Sequence, residues 1–327
     1  MTDAGGSPDT RLRVAADRGN RRAPRRFDVA VAFTALMLAC AATGCRQPVR
    51  DLYDPAATMP AKPVSAYAVG LWDSVLRTYA RDGLVDYDGL LASPEDLEAF
   101  LDHIAFVGPR TTPALFPTIQ ARTAYYLNAY NAGVVAAVLA QDIPPTMHDF
   151  DRGPLDAAYR FRVDGRIVTL GQIRALARAE AADDARVEFA LCDAAMGSAP
   201  LHNRAFQPDL LARQLIRLAQ DAVSNTRLVR VDHGAQRLYL GMAVWSRKQA
   251  FIDTYKRETG SESGTLLNCL MHLATPVRRE SLNRAVGYET RLLPFDRSLN
   301  RRDATAAVSA ADPVASGPGG DHLRYQR

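Results

Sequence analysis

Apolar positions recur at helical spacing through Leu71, Trp72, Val75, Leu76 and Tyr79, with Ser65 placed to cap that helix and Gly83 to stop it. Ser93-Pro94-Glu95-Asp96 supplies a cap, a proline at the first turn and acids beside the positive helix end, which predicts a helix to about Phe106. A longer helix is predicted from about Pro117 to Ala140, and others at Leu170 to Ala182, Pro208 to Val223 and Glu262 to Ala274. Strands are expected at Tyr159 to Val163 and Ile167 to Thr169 around Asp164-Gly165. Further strands are expected at Val187 to Cys192, at Leu228 to Val231 and Leu238 to Leu240 around His233-Gly234, and at Thr290 to Phe295. The mixture predicts an α+β fold, a helix-dominated single domain with a small, mostly antiparallel sheet.

The ends of the chain follow a different pattern. Val29 to Ala42 is an uninterrupted apolar run, preceded by Arg21, Arg22, Arg25 and Arg26 and followed by Thr43-Gly44-Cys45. Fourteen residues are too few to span a bilayer as a helix, whereas a basic segment, a short apolar core and small residues form the layout of a signal peptide. Ala-Thr-Gly before Cys45 resembles the cleavage and lipidation box of bacterial lipoproteins; a plain signal peptide cut nearby is the alternative. On the lipoprotein reading, residues 1–44 are the signal and 45–64 a lipidated Cys followed by a Pro-rich tether. Residues 65–300 then form the globular domain and 301–327 a disordered tail. Acyl chains on Cys45, palmitate among them, would supply a stable membrane anchor. Arg46 follows the Cys with no Asp to retain it at the inner membrane, so the expected location is the cell envelope, on the periplasmic face of the outer membrane.

Composition narrows the classes. With 47% hydrophobic and 23% charged residues the chain has ordinary globular make-up. Of the net charge of +4, the seven Arg and four Asp of residues 1–28 contribute +3. The body is therefore near neutral and gives no electrostatic case for a nucleic-acid partner. The six histidines form no paired ligand spacing and there is no phosphate-cradling Gly-rich loop, so neither a metal nor a cofactor is expected. Acidic His148-Asp149-Phe150-Asp151 reads as a solvated loop.

Two stretches could carry chemistry. Asn128 and Asn131 lie three apart on a helix that is apolar nearly all round, and buried amides need partners. They either pin neighbouring backbone or orient a catalytic group and donate to a reacting carbonyl. The Val187 to Cys192 run ends in a cysteine before a small-residue loop containing Ser198 and His202, which supplies the residue types of thiol or hydroxyl chemistry. A lone buried cysteine is equally natural as packing. Once Cys40 leaves with the signal and Cys45 is acylated, Cys192 and Cys269 are the two remaining thiols in an oxidising compartment, either paired or separately buried.

Gly83-Leu84-Val85-Asp86-Tyr87, Arg122, Tyr126 to Ala132, Gly165 to Leu170 with Ile173, Asp184 to Cys192 and Phe295 to Asn300 together resemble the bacterial branch of the domain-of-unknown-function 547 family. That family usually shows His where this chain has Glu188, and a second Cys where this chain has Ser198. The resemblance implies an exported, lipid-anchored member that has lost part of a Cys-His pair, and hence a binding or pseudoenzyme domain with a protein or small-molecule partner still to be named. The second reading is a thiol-dependent hydrolase or acyl transferase acting on a peptide or amide. It would use Cys192 as nucleophile, His202 as base, with His233 and His272 as other candidates, and Asn128 or Asn131 as orienter or oxyanion donor.

Overall fold

The computed structural model describes residues 49–56, 58, 66–147 and 155–302. They lie in the second of two units into which the chain divides, Gln47–Arg327. The first, Met1–Arg46, lies outside the described residues, and with it the expected signal peptide and Cys45; His148 to Asp151 and residues 303–327 also lie outside them.

The chain enters as β1 (Arg50–Asp51) and continues through α1 (Val69–Tyr79), the hairpin β2 (Ala80–Arg81) and β3 (Leu84–Val85), α2 (Tyr87–Ala92) and α3 (Glu95–Phe106). Next come α4 (Ile119–Leu139), α5 (Leu155–Ala158), the hairpin β4 (Tyr159–Val163) and β5 (Arg166–Thr169), and α6 (Leu170–Glu180). A 3-10 turn at Ala185–Phe189 leads towards α7 (Leu211–Ser224). The rest is β6 (Val229–Asp232), β7 (Arg237–Leu240), α8 (Met242–Trp245), α9 (Lys248–Thr259), α10 (Leu266–Leu273), α11 (Pro276–Asn283) and β8 (Glu289–Leu292).

The fold is helix-dominated α+β, and its strands form three small sheets: β1-β4-β5, β2-β3 and β6-β7-β8. The three hairpin pairs are antiparallel, while β1 runs parallel to β4 and β8 parallel to β7. The predicted helices form within a few residues of their expected ends; α1, α3 and α7 do so with no side-chain cap, Ser93 not capping α3 as expected, whereas α4 and α6 are capped. Thr118 accepts from Ala121 N at 3.1 Å, and Thr169 and Gln172 close a reciprocal capping box at the head of α6.

Helix α4 is the axis of the domain. Every residue from Thr123 to Val135 is buried, and the helix packs most extensively along α6. Gly133 permits that approach: a β-carbon there would stand 2.8 Å from Leu170 Cδ2. Around its first half Trp72 stacks on Phe100 at 6.0 Å and Phe116 meets Tyr125 edge-on at 5.1 Å. Among the described residues, no helix is long and apolar enough to cross a membrane.

Three expectations are corrected. Val187 to Cys192 is no strand: Ala185–Phe189 winds as a 3-10 turn, started by the Asp184 side chain accepting from Arg186 N at 3.0 Å. Val187 to Cys192 is buried at every position, so its apolar run has no two-residue alternation to anchor in a sheet. The ordered domain also reaches beyond 65–300. Arg50 and Asp51 pair with Tyr159 and Arg160 where a tether was expected, and Arg301, assigned to the tail, bridges to Val85. Helices α9 and α11 were not foreseen, since each buries only one or two side chains and shows little apolar periodicity.

The last described segment is a strap. Gly197 N bonds Asp296 O at 2.8 Å, Met147 N bonds Arg297 O at 2.7 Å, Asn300 N bonds Ala194 O at 2.8 Å and Val85 N bonds Asn300 O at 2.8 Å. Residues 296–302 therefore thread between the loop after Cys192, the loop after α4 and strand β3.

Candidate functional site

Cys192 stands at the centre of these elements with 3% of its surface exposed. Asn131, on α4, accepts from Cys192 N at 3.0 Å and donates to Ala190 O at 2.9 Å. One turn earlier Asn128 makes the same pair of bonds to Phe206, accepting at N and donating to O, both at 2.9 Å. Each side-chain amide stands in for the neighbouring strand that these buried loops lack. In each amide the oxygen and one N–H are engaged by backbone; of the two roles open at the sequence level, pinning is the one observed.

The thiol itself is walled in. Ala194 N donates to Sγ at 3.4 Å and Asn300 Nδ2 at 3.7 Å. The Asn300 amide also accepts from Tyr87 OH at 2.7 Å and donates to Gly83 O at 3.1 Å, so the strap, β3 and the Cys192 loop share one polar junction. Ala194 sits at φ 57, a left-handed conformation held by that junction. Burial pushes the Cys192 thiol up to about 12, against which the Ala194 N–H acts only weakly, so it is a neutral SH at any ordinary pH. Ser198 is likewise buried and structural, donating to Ala195 O at 2.7 Å and accepting from Asp193 N at 3.3 Å.

Among the described residues no histidine is hydrogen-bonded to this thiol. His202 Nδ1 meets Arg204 O at 2.8 Å, and its ring stacks on Phe206 at 5.7 Å beside a groove of about 700 Å³. His233 contacts Tyr288 and Ser281, and His272 contacts Glu258. Cys192 and Cys269 are both free and buried thiols, not a disulfide, and Cys269 is also raised to about 12 by burial. Among the described residues no group of His, Cys, Asp and Glu could hold a metal ion.

Two constellations were missed. Glu188 is 5% exposed and forked by Arg178 Nε and Nη2, each at 2.7 Å, with Arg247 Nε at 3.3 Å. Both of its oxygens are engaged, so it ties α6 and the α8–α9 junction to the 3-10 turn. The second constellation opens to solvent. Tyr130 OH donates to Asp193 Oδ1 at 2.5 Å, while Arg174 Nη2 reaches Tyr130 OH, Asp193 Oδ1 at 2.5 Å and Asp156 Oδ1 at 3.0 Å. Burial and then the Asp193 carboxylate hold Tyr130 well above its usual range. Burial alone would lower Arg174, but Asp193, Tyr130 and Asp156 outweigh it and hold its proton firmly. This cluster edges a cavity of about 210 Å³ walled by Met147, Leu155, Ala195 and Phe295.

Residues 117–221 match the family model described as "Protein of unknown function, DUF547". That segment of the chain is similar to this family. The DUF547 match runs from just before α4 into α7, and so contains both asparagines, Cys192, Glu188 and the whole Tyr130–Arg174–Asp193–Asp156 cluster. The strap that completes the burial of Cys192 lies beyond the matched DUF547 segment. No curated protein and no solved structure matches the chain. Tyr130 and Asp193 were legible as neighbours of the Asn-Ala-Tyr-Asn and Leu-Cys motifs. Nothing in the linear pattern pairs them with Arg174.

Proposed function

We propose that this protein is an exported, lipid-anchored cell-envelope protein whose domain binds a ligand and performs no thiol chemistry. The observation that carries the binding reading is the state of Cys192: neutral, walled in by the strap and bonded to no histidine among the described residues. A nucleophilic cysteine needs a thiolate and access, and this one has neither. The open feature beside it, the Arg174–Asp193–Asp156 cavity, is the binding site on this reading. The envelope half rests on the sequence, on the basic segment, the apolar run and Ala-Thr-Gly-Cys45.

Each half has its test. Intact mass of membrane-extracted protein should show cleavage before Cys45 with added acyl mass, and Cys45→Ser should abolish both the added mass and membrane retention. An unprocessed or unacylated chain contradicts the anchor. Activated esters and peptide amides should be hydrolysed no faster by wild type than by Cys192→Ala; a Cys192-dependent rate would establish the hydrolase or acyl-transferase reading instead.

A further inference from the structure

The cavity beside Cys192 carries information about what it takes. Its polar side is Arg174, Asp193 and Asp156, two carboxylates on one guanidinium, with Tyr130 held neutral. Among the described residues the cluster is thus one negative charge out of balance. Arg174 contacts its partners through Nη2, whose two N–H groups are shared among Oδ1 of Asp193, Oδ1 of Asp156 and the Tyr130 hydroxyl, so Oδ2 of each aspartate accepts no bond from the guanidinium. Asp156 and Asp193 keep 44% and 33% of their side-chain surface exposed, whereas Arg174 keeps 16%. What the cluster presents to the cavity is carboxylate. The facing wall, Met147, Leu155 and Phe295, is apolar.

A volume of about 210 Å³ is below the usual range of drug-sized sites. At about 30 Å³ per water-sized group it has room for roughly seven heavy atoms.

We infer that this cavity binds an alkylammonium or alkylguanidinium group: a monocation paired with Asp156 and Asp193, carried on a short methylene stem lying against Met147, Leu155 and Phe295. The charge restores neutrality to the cluster, and the stem buries apolar surface that no polar ligand of that size would use. Such a group reaches an envelope protein either as a free small amine or as the side chain of a basic residue in a peptide. The inference rests on the binding reading above and names the chemistry of its ligand.

The test is calorimetric titration of the full chain in detergent with n-pentylammonium, n-pentanol and pentanoate, which share a stem and differ in charge. Pentylammonium should saturate with a Kd of about 1 mM or tighter, within the efficiency range of so small a ligand. It should bind at least tenfold better than pentanol, with no pentanoate binding. Asp156→Asn should weaken it about tenfold and Asp156→Glu restore it, with melting temperature confirming that both variants fold. Titration of an acetylated, amidated Gly-Lys-Gly peptide separates the sources: affinity matching pentylammonium assigns a peptide side chain, and loss of binding assigns a free amine. Equal binding of all three pentyl probes, preference for pentanoate, or no saturation by pentylammonium overturns the inference. These outcomes are independent of Cys192-dependent turnover, so failure of the ligand assignment and failure of the binding reading are told apart.

Discussion

At the scale of single residues, the site is organised by side chains that replace missing backbone partners. Asn131 and Asn128 do this for Cys192 and Phe206, and Glu188 pairs with the side chains of Arg178 and Arg247. Glu188→His should therefore cost about 3–5 kcal/mol in urea unfolding, because it leaves Arg178 without its carboxylate partner and Arg247 with Asp183 alone. A cost below about 1 kcal/mol would show that the ion pairs contribute little. The Cys192 thiol sets a pH dependence whose sign is fixed by its shift. Its folded value of about 12 lies above the ordinary 9.0 of an unfolded thiol, so the unfolded state releases the proton first. Its contribution is complete below pH 9 and declines as pH rises towards 12, by about 1 kcal/mol at pH 10. Cys192→Ala should flatten that part of the stability curve, and an unchanged slope would contradict the burial of the thiol.

Legibility differed between elements for physical reasons. Helices α4 and α6 were readable at their starts because Thr118 and Thr169 cap them within one turn, whereas α1 and α3 carry no side-chain cap and were readable from the spacing of their apolar positions alone. The hairpin at Asp164-Gly165 was readable because both residues adopt positive φ, at 53° and 69°, as a tight primed turn requires. The segment before Cys192 was not, because its conformation is set by Asn131 some 60 residues away and by the strap more than 100 residues away. Asn300 joins that strap to the thiol, to Tyr87 and to Gly83, although it stood in the sequence only as the end of a motif. Asn300→Ala removes three bonds at this junction. It should destabilise by about 2–4 kcal/mol and raise the alkylation rate of Cys192 in the folded protein at least tenfold. An unaltered rate would mean that the strap does not control access.

Over the whole molecule, the site is a product of tertiary arrangement. The family match covers α4 to α7, yet Cys192 is sealed by Tyr87 and Asn300 from the two ends of the domain. The pairs that decide chemistry, Cys192 with a histidine or with Cys269, were candidates in sequence and are separated in space. Tyr130, Arg174, Asp193 and Asp156 instead converge from α4, α6, the loop after Cys192 and α5 on one open cavity. The claim on which this account turns is that Cys192 is a structural thiol. The direct measurement is the rate of iodoacetamide modification of Cys192, followed by peptide mass spectrometry on the folded full chain from pH 6 to 9.5, with urea-unfolded protein as reference. The account predicts modification in the folded state at least a hundredfold slower than in urea at every pH. Rapid modification with a midpoint well below the ordinary thiol value of 9.0 would show an activated thiolate and contradict it.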